Sequence, residues 1–350
     1  MHKLSICIPT YNRSIHLTNC LNSILLNNIS LIPHVQVCIS DNCSTDETEK
    51  IVSDAIKVIP IKYKRNTANL GYARNLLKVV EMADGEFVWV IGDDDLLMPD
   101  VFDELISLIN NHIDVDYFYV NSNHLTTEYV FSFPQPFALS NLPQKMLRFS
   151  TRETSGEMEF LDLIDPKVSS DFLGGIFLSI FRRDKWIANA HVLDEAAIFD
   201  DRLFSHFDNT FPNIKIFAHA FRNSKAYFCA KPLSVCLMGA REWKPMSPLV
   251  KSVRLVEALK EYKKNGLSLS KYVYCKNSAL NSFASDFVRM VIDANRSGYN
   301  YINPVRLIAS NLIYPNFYLS FGYPLFRQSF WHKVMKYCSN VVRLFGKSSL

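Results

Sequence analysis

Short apolar runs alternate with stretches of helical periodicity along the first 120 residues. Leu4–Ile8 is a continuous apolar run of strand length, and from Ser14 to Leu26 the positions Leu17, Leu21, Ile24 and Leu25 fall on one helical face. Val35–Ile39 predicts a second strand. A second helix is expected to open at Ser44-Thr45-Asp46-Glu47, with Ser44 as cap and Glu47 in the reciprocal position. Ile61–Tyr63, Phe87–Ile91 and Tyr117–Val120 read as further strands, separated by helices over Tyr72–Ala83 and Val101–Ile109, the first stopped by Asp84-Gly85. This alternation predicts an α/β fold with a mostly parallel sheet flanked by helices. In such sheets ligands bind beyond the carboxyl ends of the strands. Three polar clusters stand at those ends: Pro9-Thr10-Tyr11-Asn12-Arg13, Ser40-Asp41-Asn42 and Gly92-Asp93-Asp94-Asp95.

Periodicity is lost from Val130 to Asp165, where Pro134, Pro136 and Pro143 mark loop. An apolar segment, Phe172–Phe181, then precedes Arg182-Arg183-Asp184-Lys185-Trp186, and residues 193–240 carry mixed signals. Beyond Ser247 the pattern is helical over Leu249–Lys264, Lys271–Ala294 and Phe330–Phe345.

Charge divides the chain in the same place. The net +4 combines 21 Lys/Arg against 29 Asp/Glu in residues 1–240 (net −8) with 17 against 5 in residues 241–350 (net +12). A basic last third beside an acidic body fits an anionic partner such as a membrane surface or a diphosphate; a solvated helical face fits equally well. The start, Met1-His2-Lys3-Leu4, predicts no secretory signal. The longest weakly charged stretch, Val305–Tyr323, is interrupted by Arg306, Asn311, Pro315 and Asn316 and does not read as a membrane span. Eight scattered cysteines without a Cys-x-x-Cys predict reduced, buried thiols and a cytoplasmic protein.

Asp93-Asp94-Asp95 carries the strongest chemistry. Adjacent carboxylates after a buried strand repel one another unless they are solvated or hold a cation. Mg²⁺ or Mn²⁺ bound there would also take diphosphate oxygens. The competing reading is a solvated acidic turn that caps the next helix.

Four segments, in order, resemble the family 2 glycosyltransferases of GT-A fold: Leu4 to Arg13, Val37 to Asp46, Asn69-Leu70-Gly71-Tyr72-Ala73-Arg74-Asn75, and Ala83 to Asp95 followed by Met98-Pro99-Asp100. The resemblance implies a GT-A catalytic domain over residues 1–245, with a nucleotide-binding half at 1–120 and an acceptor half at 121–245, followed by a helical, basic region at 246–350. It implies that Pro9, Thr10 and Tyr11 line the base and ribose pocket, with Arg13 also among the donor-binding residues. Asp41 would accept a hydrogen bond from the base, and Arg74 would pair with diphosphate oxygens. Asp93 would approach ribose and metal. Asp95 is the first metal ligand expected, with Asp94 its rival, and Gly92 would let the backbone approach the donor.

Inverting transfer also needs a base within reach of the acceptor hydroxyl. Phe199-Asp200-Asp201-Arg202-Leu203 resembles the family's lead-in, but Ser205-His206-Phe207-Asp208 stands where a Glu-Asp pair is expected. Asp208 is the first candidate, with His206 and Asp201 behind it. Gly174-Gly175 and Arg182 to Trp186 resemble the acceptor-side segment; Trp186 and Trp243 would either stack on sugar rings or pack in the core. Val334–Phe345, with Lys333, Lys336, Arg343 and Lys347 nearby, suits an interfacial amphipathic helix.

Within the family, the nearest resemblance is to bacterial O-antigen, abequosyltransferase-like transferases. It implies an inverting enzyme of lipopolysaccharide synthesis. Such an enzyme moves a sugar from a nucleoside-diphosphate donor to a polyprenyl-diphosphate-linked oligosaccharide at the cytoplasmic face of the inner membrane, with peripheral contact through the basic region. Two alternatives stand beside it. A sugar nucleotidyltransferase shares the sheet and the metal, but should carry a Gly-rich loop after the first strand. A catalytically silent glycan-binding module would keep the fold and lose the base. Nucleic acid is not an expected partner, since the basic residues are spread along helices and the strand-end pocket is acidic.

Overall fold

The computed structural model describes residues 2–27, 34–239 and 243–325, so the expected helices over Phe330–Phe345 and Val334–Phe345 lie outside the described residues. The chain divides into two compact units, Met1–Glu242 with Glu261–Leu267, and Trp243–Lys260 with Ser268–Leu350.

The first unit is built on one sheet of ten strands: β1 (Leu4–Thr10), β2 (Val35–Asp41), β3 (Ile61–Arg65), β4 (Phe87–Val90), β5 (Leu96–Leu97), β6 (Tyr117–Thr126), β7 (Leu147–Arg148), β8 (Gly156–Glu159), β9 (Ser179–Arg182) and β10 (Lys225–Met238). The main order is β3-β2-β1-β4-β9-β6-β10-β5, with β7 on β6 and β8 on β10. Strands β1 to β4 run parallel, and β6 runs parallel to β10. The sheet is mixed because β9, from the apolar run before Arg182, lies antiparallel between β4 and β6. β1, β2 and β4 are covered on both faces, which is why they read as unbroken apolar runs. Their register positions the site: Leu4 lies opposite both Val35 and Phe87, so β1 lies between β2 and β4, and its last residue, Thr10, lies beside Asp41.

The helices α1 (Ser14–Leu25), α2 (Thr48–Ala55), α3 (Tyr72–Met82) and α4 (Val101–Asn111) follow the first strands. α2 begins later than expected. Ser44 does not cap it; its hydroxyl instead accepts the Asn12 N–H at 2.9 Å, while Asp46 accepts from the Thr48 N–H at 3.1 Å. Gly85 is also not a left-handed stop. A Cβ there would lie 2.7 Å from the Ser5 amide nitrogen, so glycine is needed for the close approach of α3's exit to β1.

Trp89, Phe118 and Phe181 lie in the core. Trp186 belongs there too, stacked on Phe181 with ring centroids 4.7 Å apart, and is thereby withdrawn from any sugar. The expected loop from Val130 to Asp165 contributes the edge strands β7 and β8.

In the second unit, the helix expected over Lys271–Ala294 is two helices, Leu269–Ala279 and Phe283–Ile292. They pack with Pro304–Ala309 and Pro315–Leu325 around Val256, Leu280, Phe283, Tyr314 and Phe317. No helix among the described residues is long and apolar enough to cross a membrane.

Candidate functional site

The carboxyl ends of β1, β2 and β4 meet as the parallel register demands. Thr10 Oγ1 donates to Asp93 Oδ2 at 2.8 Å, and the Asn42 N–H donates to the Thr10 carbonyl at 2.9 Å. Past Thr10 the chain turns through Asn12 at φ +51°, whose side-chain carbonyl accepts the Thr45 N–H at 2.7 Å. The turn leaves Tyr11 exposed and points Arg13 inward. Arg13 Nη1 lies 3.1 Å from Asp94 Oδ2 and 3.6 Å from Asp93 Oδ1. The first and third polar clusters therefore form one site.

The acidic turn is folded on itself. Asp95 Oδ2 accepts the Gly92 N–H at 2.7 Å, and the Asp95 N–H returns to the Gly92 carbonyl at 3.1 Å. A side chain at position 92 would meet Asp94 Oδ1 at 2.6 Å and Asp95 Oδ2 at 3.2 Å, so glycine makes room for two carboxylates. Burial, and then the neighbouring Asp94, push the Asp93 carboxyl up to about 7, against the pull of Arg13 and Thr10.

Asp41 is fully buried, and both its oxygens are engaged. Oδ1 accepts the Ser44 N–H at 2.9 Å; Oδ2 accepts Tyr63 OH at 2.9 Å and lies 3.6 Å from Arg65 Nε. Burial and this bond to Asp41 raise the Tyr63 phenol well above its usual range. Neither Tyr63 nor Arg65 stands out as a site residue in the sequence, yet they stand two apart on β3 and so share the face toward Asp41. The Asn-Leu-Gly segment is fastened to β2: Asn42 accepts from the Leu70 N–H at 2.8 Å and donates to Asn69 at 2.7 Å.

Arg74, on the first turn of α3, donates through Nη2 to Asp201 Oδ1 at 3.0 Å, with its guanidinium 4.8 Å above the Phe199 ring. A residue expected at the donor diphosphate thus touches a candidate base. Asp208, the first candidate, is placed otherwise. It is buried, and its Oδ2 accepts the Asp194 N–H and the Lys215 ammonium, each at 2.6 Å. Lys215 reaches it from the next helix: Asp208 lies in Phe207–Thr210 and Lys215 in Pro212–Ala220.

His206 Nε2 lies 3.0 Å from Asp200 Oδ2, an oxygen that also receives Arg202 at 2.6 Å and Ser205 at 2.9 Å. The Arg202 bonds hold the Asp200 carboxyl well below the usual range. Asp200 is thus a partner that sequence reasoning passed over. Arg182, in the segment that resembles the acceptor side, is occupied by Glu86 at 2.7 Å and Asp116 at 2.8 Å. Gly174 and Gly175 sit in a loop tied down by Asp171, which accepts the Gly175 N–H at 2.7 Å.

No three His, Cys, Asp or Glu side chains converge into a preformed metal cage among the described residues. Mg²⁺ is usually held by one or two carboxylates together with substrate phosphates. Asp93, Asp94 and Asp95 supply hard oxygen donors of that kind, gathered at one turn beside Thr10. The residues fit a divalent ion.

Residues 5–156 match Glycosyl transferase family 2. Abequosyltransferase RfbV of Salmonella typhimurium is 41% identical over 115 residues, which cover 32% of this chain and 34% of that protein. A GalNAc(5)-diNAcBac-PP-undecaprenol beta-1,3-glucosyltransferase of Campylobacter jejuni is 31% identical over 112 residues, 31% of this chain and 35% of that protein. The chain therefore spans only about a third of the length of these two relatives. Among solved structures, TarS 1–349 of Staphylococcus aureus superposes with a TM-score of 0.57 at 19% identity, covering 88% of this chain and 82% of that one. The same protein has been solved in complex with UDP, with a TM-score of 0.54 at 17% identity, 88% of this chain and 82% of that one. Residues 5–156 are thus similar to the family 2 glycosyltransferases, in a sheet of the GT-A fold.

Proposed function

We propose that the protein transfers a sugar, with inversion, from a nucleoside-diphosphate sugar to a lipid-linked oligosaccharide in the synthesis of O-antigen or a related surface polysaccharide. The observation that carries this reading is the junction of Thr10, Arg13 and Asp93-Asp94-Asp95 at the carboxyl ends of parallel strands. The name of the Campylobacter relative, which acts on a PP-undecaprenol-linked glycan, supports the acceptor class. Mg²⁺ or Mn²⁺, when bound, would neutralise charge on the departing diphosphate. Asp95 and Asp93 would hold it, with Asp94 beside them. Tyr11, Pro9 and Thr10 would receive base and ribose, with Asp41 bracing the pocket from behind through Ser44 and Tyr63. Arg74 would turn from Asp201 to the diphosphate.

For the proton acceptor, the commitment of Asp208 to Lys215 favours His206 oriented by Asp200, with Asp201 next. Asp200 holds Nε2 and so orients the imidazole toward the role of proton acceptor. Such chemistry, on a lipid-linked acceptor, belongs at the cytoplasmic face of the inner membrane.

The test is a donor screen. Thermal unfolding with UDP, GDP, CDP and dTDP, each with and without Mn²⁺, should show one nucleotide stabilising the protein and Mn²⁺ enlarging its shift. Absence of stabilisation by all four would overturn the reading. Stabilisation without transfer to any lipid-linked acceptor would favour the silent glycan-binding alternative.

A further inference from the structure

The second unit exposes an apolar crest that a water-facing helix does not normally show. In Pro315–Leu325, Phe317 and Ser320 are buried, Phe317 against the Phe283 ring at 5.1 Å and Ser320 accepting the Ala284 N–H at 3.2 Å. At 100° per residue this fixes the outward face on Pro315, Tyr318, Leu319 and Gly322. Such a face is ordinarily charged. Here Tyr318 and Leu319 are 57% and 68% exposed, and in the preceding turn Leu312 and Ile313 are 45% and 81% exposed. Between Arg306 and Arg327 no residue carries a formal charge.

The flanks carry one sign of charge. From residue 294 to residue 350 there are seven Lys/Arg and no Asp or Glu. An apolar crest with a tyrosine at its edge, in a stretch of sequence whose formal charges are all positive, has the chemistry of a bilayer interface: hydrocarbon for Ile313 and Leu319, headgroup depth for Tyr318, anionic lipid for the basic residues. A second copy of the chain is a poorer occupant, because self-pairing would bring these cations together with no acid in the segment to answer them. No described helix can cross a membrane, so the contact lies in the plane of the surface.

We infer that the crest formed by Leu312, Ile313, Tyr318 and Leu319 is a docking surface for an anionic phospholipid bilayer. Its purpose rests on the lipid-linked acceptor proposed above; the binding itself does not.

The test is flotation of the full chain with vesicles of phosphatidylcholine alone, and with vesicles in which about a third of the lipid is phosphatidylglycerol. The protein should float with the anionic vesicles, less so at high salt, and the double variant Ile313→Ser, Leu319→Ser should bind about tenfold more weakly. The variant's thermal stabilisation by nucleotide should be unchanged, which shows that the catalytic unit is intact. Equal flotation of variant and parent, or no binding of the parent to anionic vesicles, would overturn the inference. So would a fall in oligomeric mass on light scattering for a variant that still floats, since that marks the crest as a contact between copies. Failure here, with transfer to a water-soluble acceptor retained, would leave the proposed reaction standing.

Discussion

Thr10 Oγ1 and Asp93 Oδ2, 83 residues apart in sequence, meet at 2.8 Å and tie the end of β1 to the acidic turn. The bond exists because β1 pairs with β4 in parallel, so both strands deliver their polar ends to one rim. Thr10→Val keeps the shape and removes the donor. It should cost about 2 kcal/mol, weaken nucleotide binding by letting Asp93 move, and be rescued by Thr10→Ser. Urea unfolding and a nucleotide titration check the two parts separately.

Gly92→Ala should separate function from stability. The added methyl meets the ends of two flexible side chains, Asp94 at 2.6 Å and Asp95 at 3.2 Å, and no backbone atom comes as near. The carboxylates will swing aside at a modest cost in Tm, of about a few degrees at most. Any Mn²⁺-dependent part of the nucleotide shift should be lost. A variant that retains that part in full would show that the turn does not hold the ion.

Asp208 offers the contrary pattern. It is buried against Lys215, itself largely covered, and it accepts the Asp194 N–H. Asp208→Asn should therefore destabilise the protein by about 2–3 kcal/mol, and adding Lys215→Met should recover part of the loss. If this residue is structural, the single variant keeps turnover once corrected for folded fraction, whereas His206→Gln loses it. A stable Asp208→Asn protein without activity would return the base to Asp208.

These contrasts mark what the sequence could disclose. The strand-end clusters were legible because apolar runs of strand length place their polar exits by geometry alone. The same runs did not reveal β9, since a four-residue segment, Ser179–Arg182, carries no sign of strand direction. Partnerships between side chains were the least visible. Asp41 stood out, but Tyr63 and Arg65 did not, because β3 is a half-exposed edge strand with an ordinary basic composition. Asp200, Asp201 and Asp208 look alike in sequence; only the fold assigns one to Arg202 and His206, one to Arg74 and one to Lys215.

Arg74 and Asp201 give a prediction of opposite signs. If the guanidinium turns to the donor, Arg74→Ala removes a charge-assisted bond and should weaken donor binding about tenfold. Asp201→Asn releases Arg74 from a competitor exposed to water. Donor binding should then be unchanged or slightly tighter. Isothermal titration with the nucleotide found by the screen reads both; weakening in both variants would mean that the pair acts as a structural unit.

Lys276 supplies a pH signature in the helical unit. Its ammonium donates to the Ser310 carbonyl at 2.9 Å and lies 4.4 Å over the Tyr314 ring, in a buried position. Burial, and then the nearby Lys260, lower its pKa from the ordinary 10.5 to about 8. Between those values the unfolded chain holds a proton that the folded chain has released, so stability should rise with pH across that window. Below about 8 both states are protonated, and the folded state carries the full cost of the buried charge. Lys276→Met keeps the aliphatic stem beside Tyr314 and removes the titration, so its Tm should lack this rise. Parallel Tm profiles for the two proteins from pH 7 to pH 11 would show that Lys276 is not the group responsible.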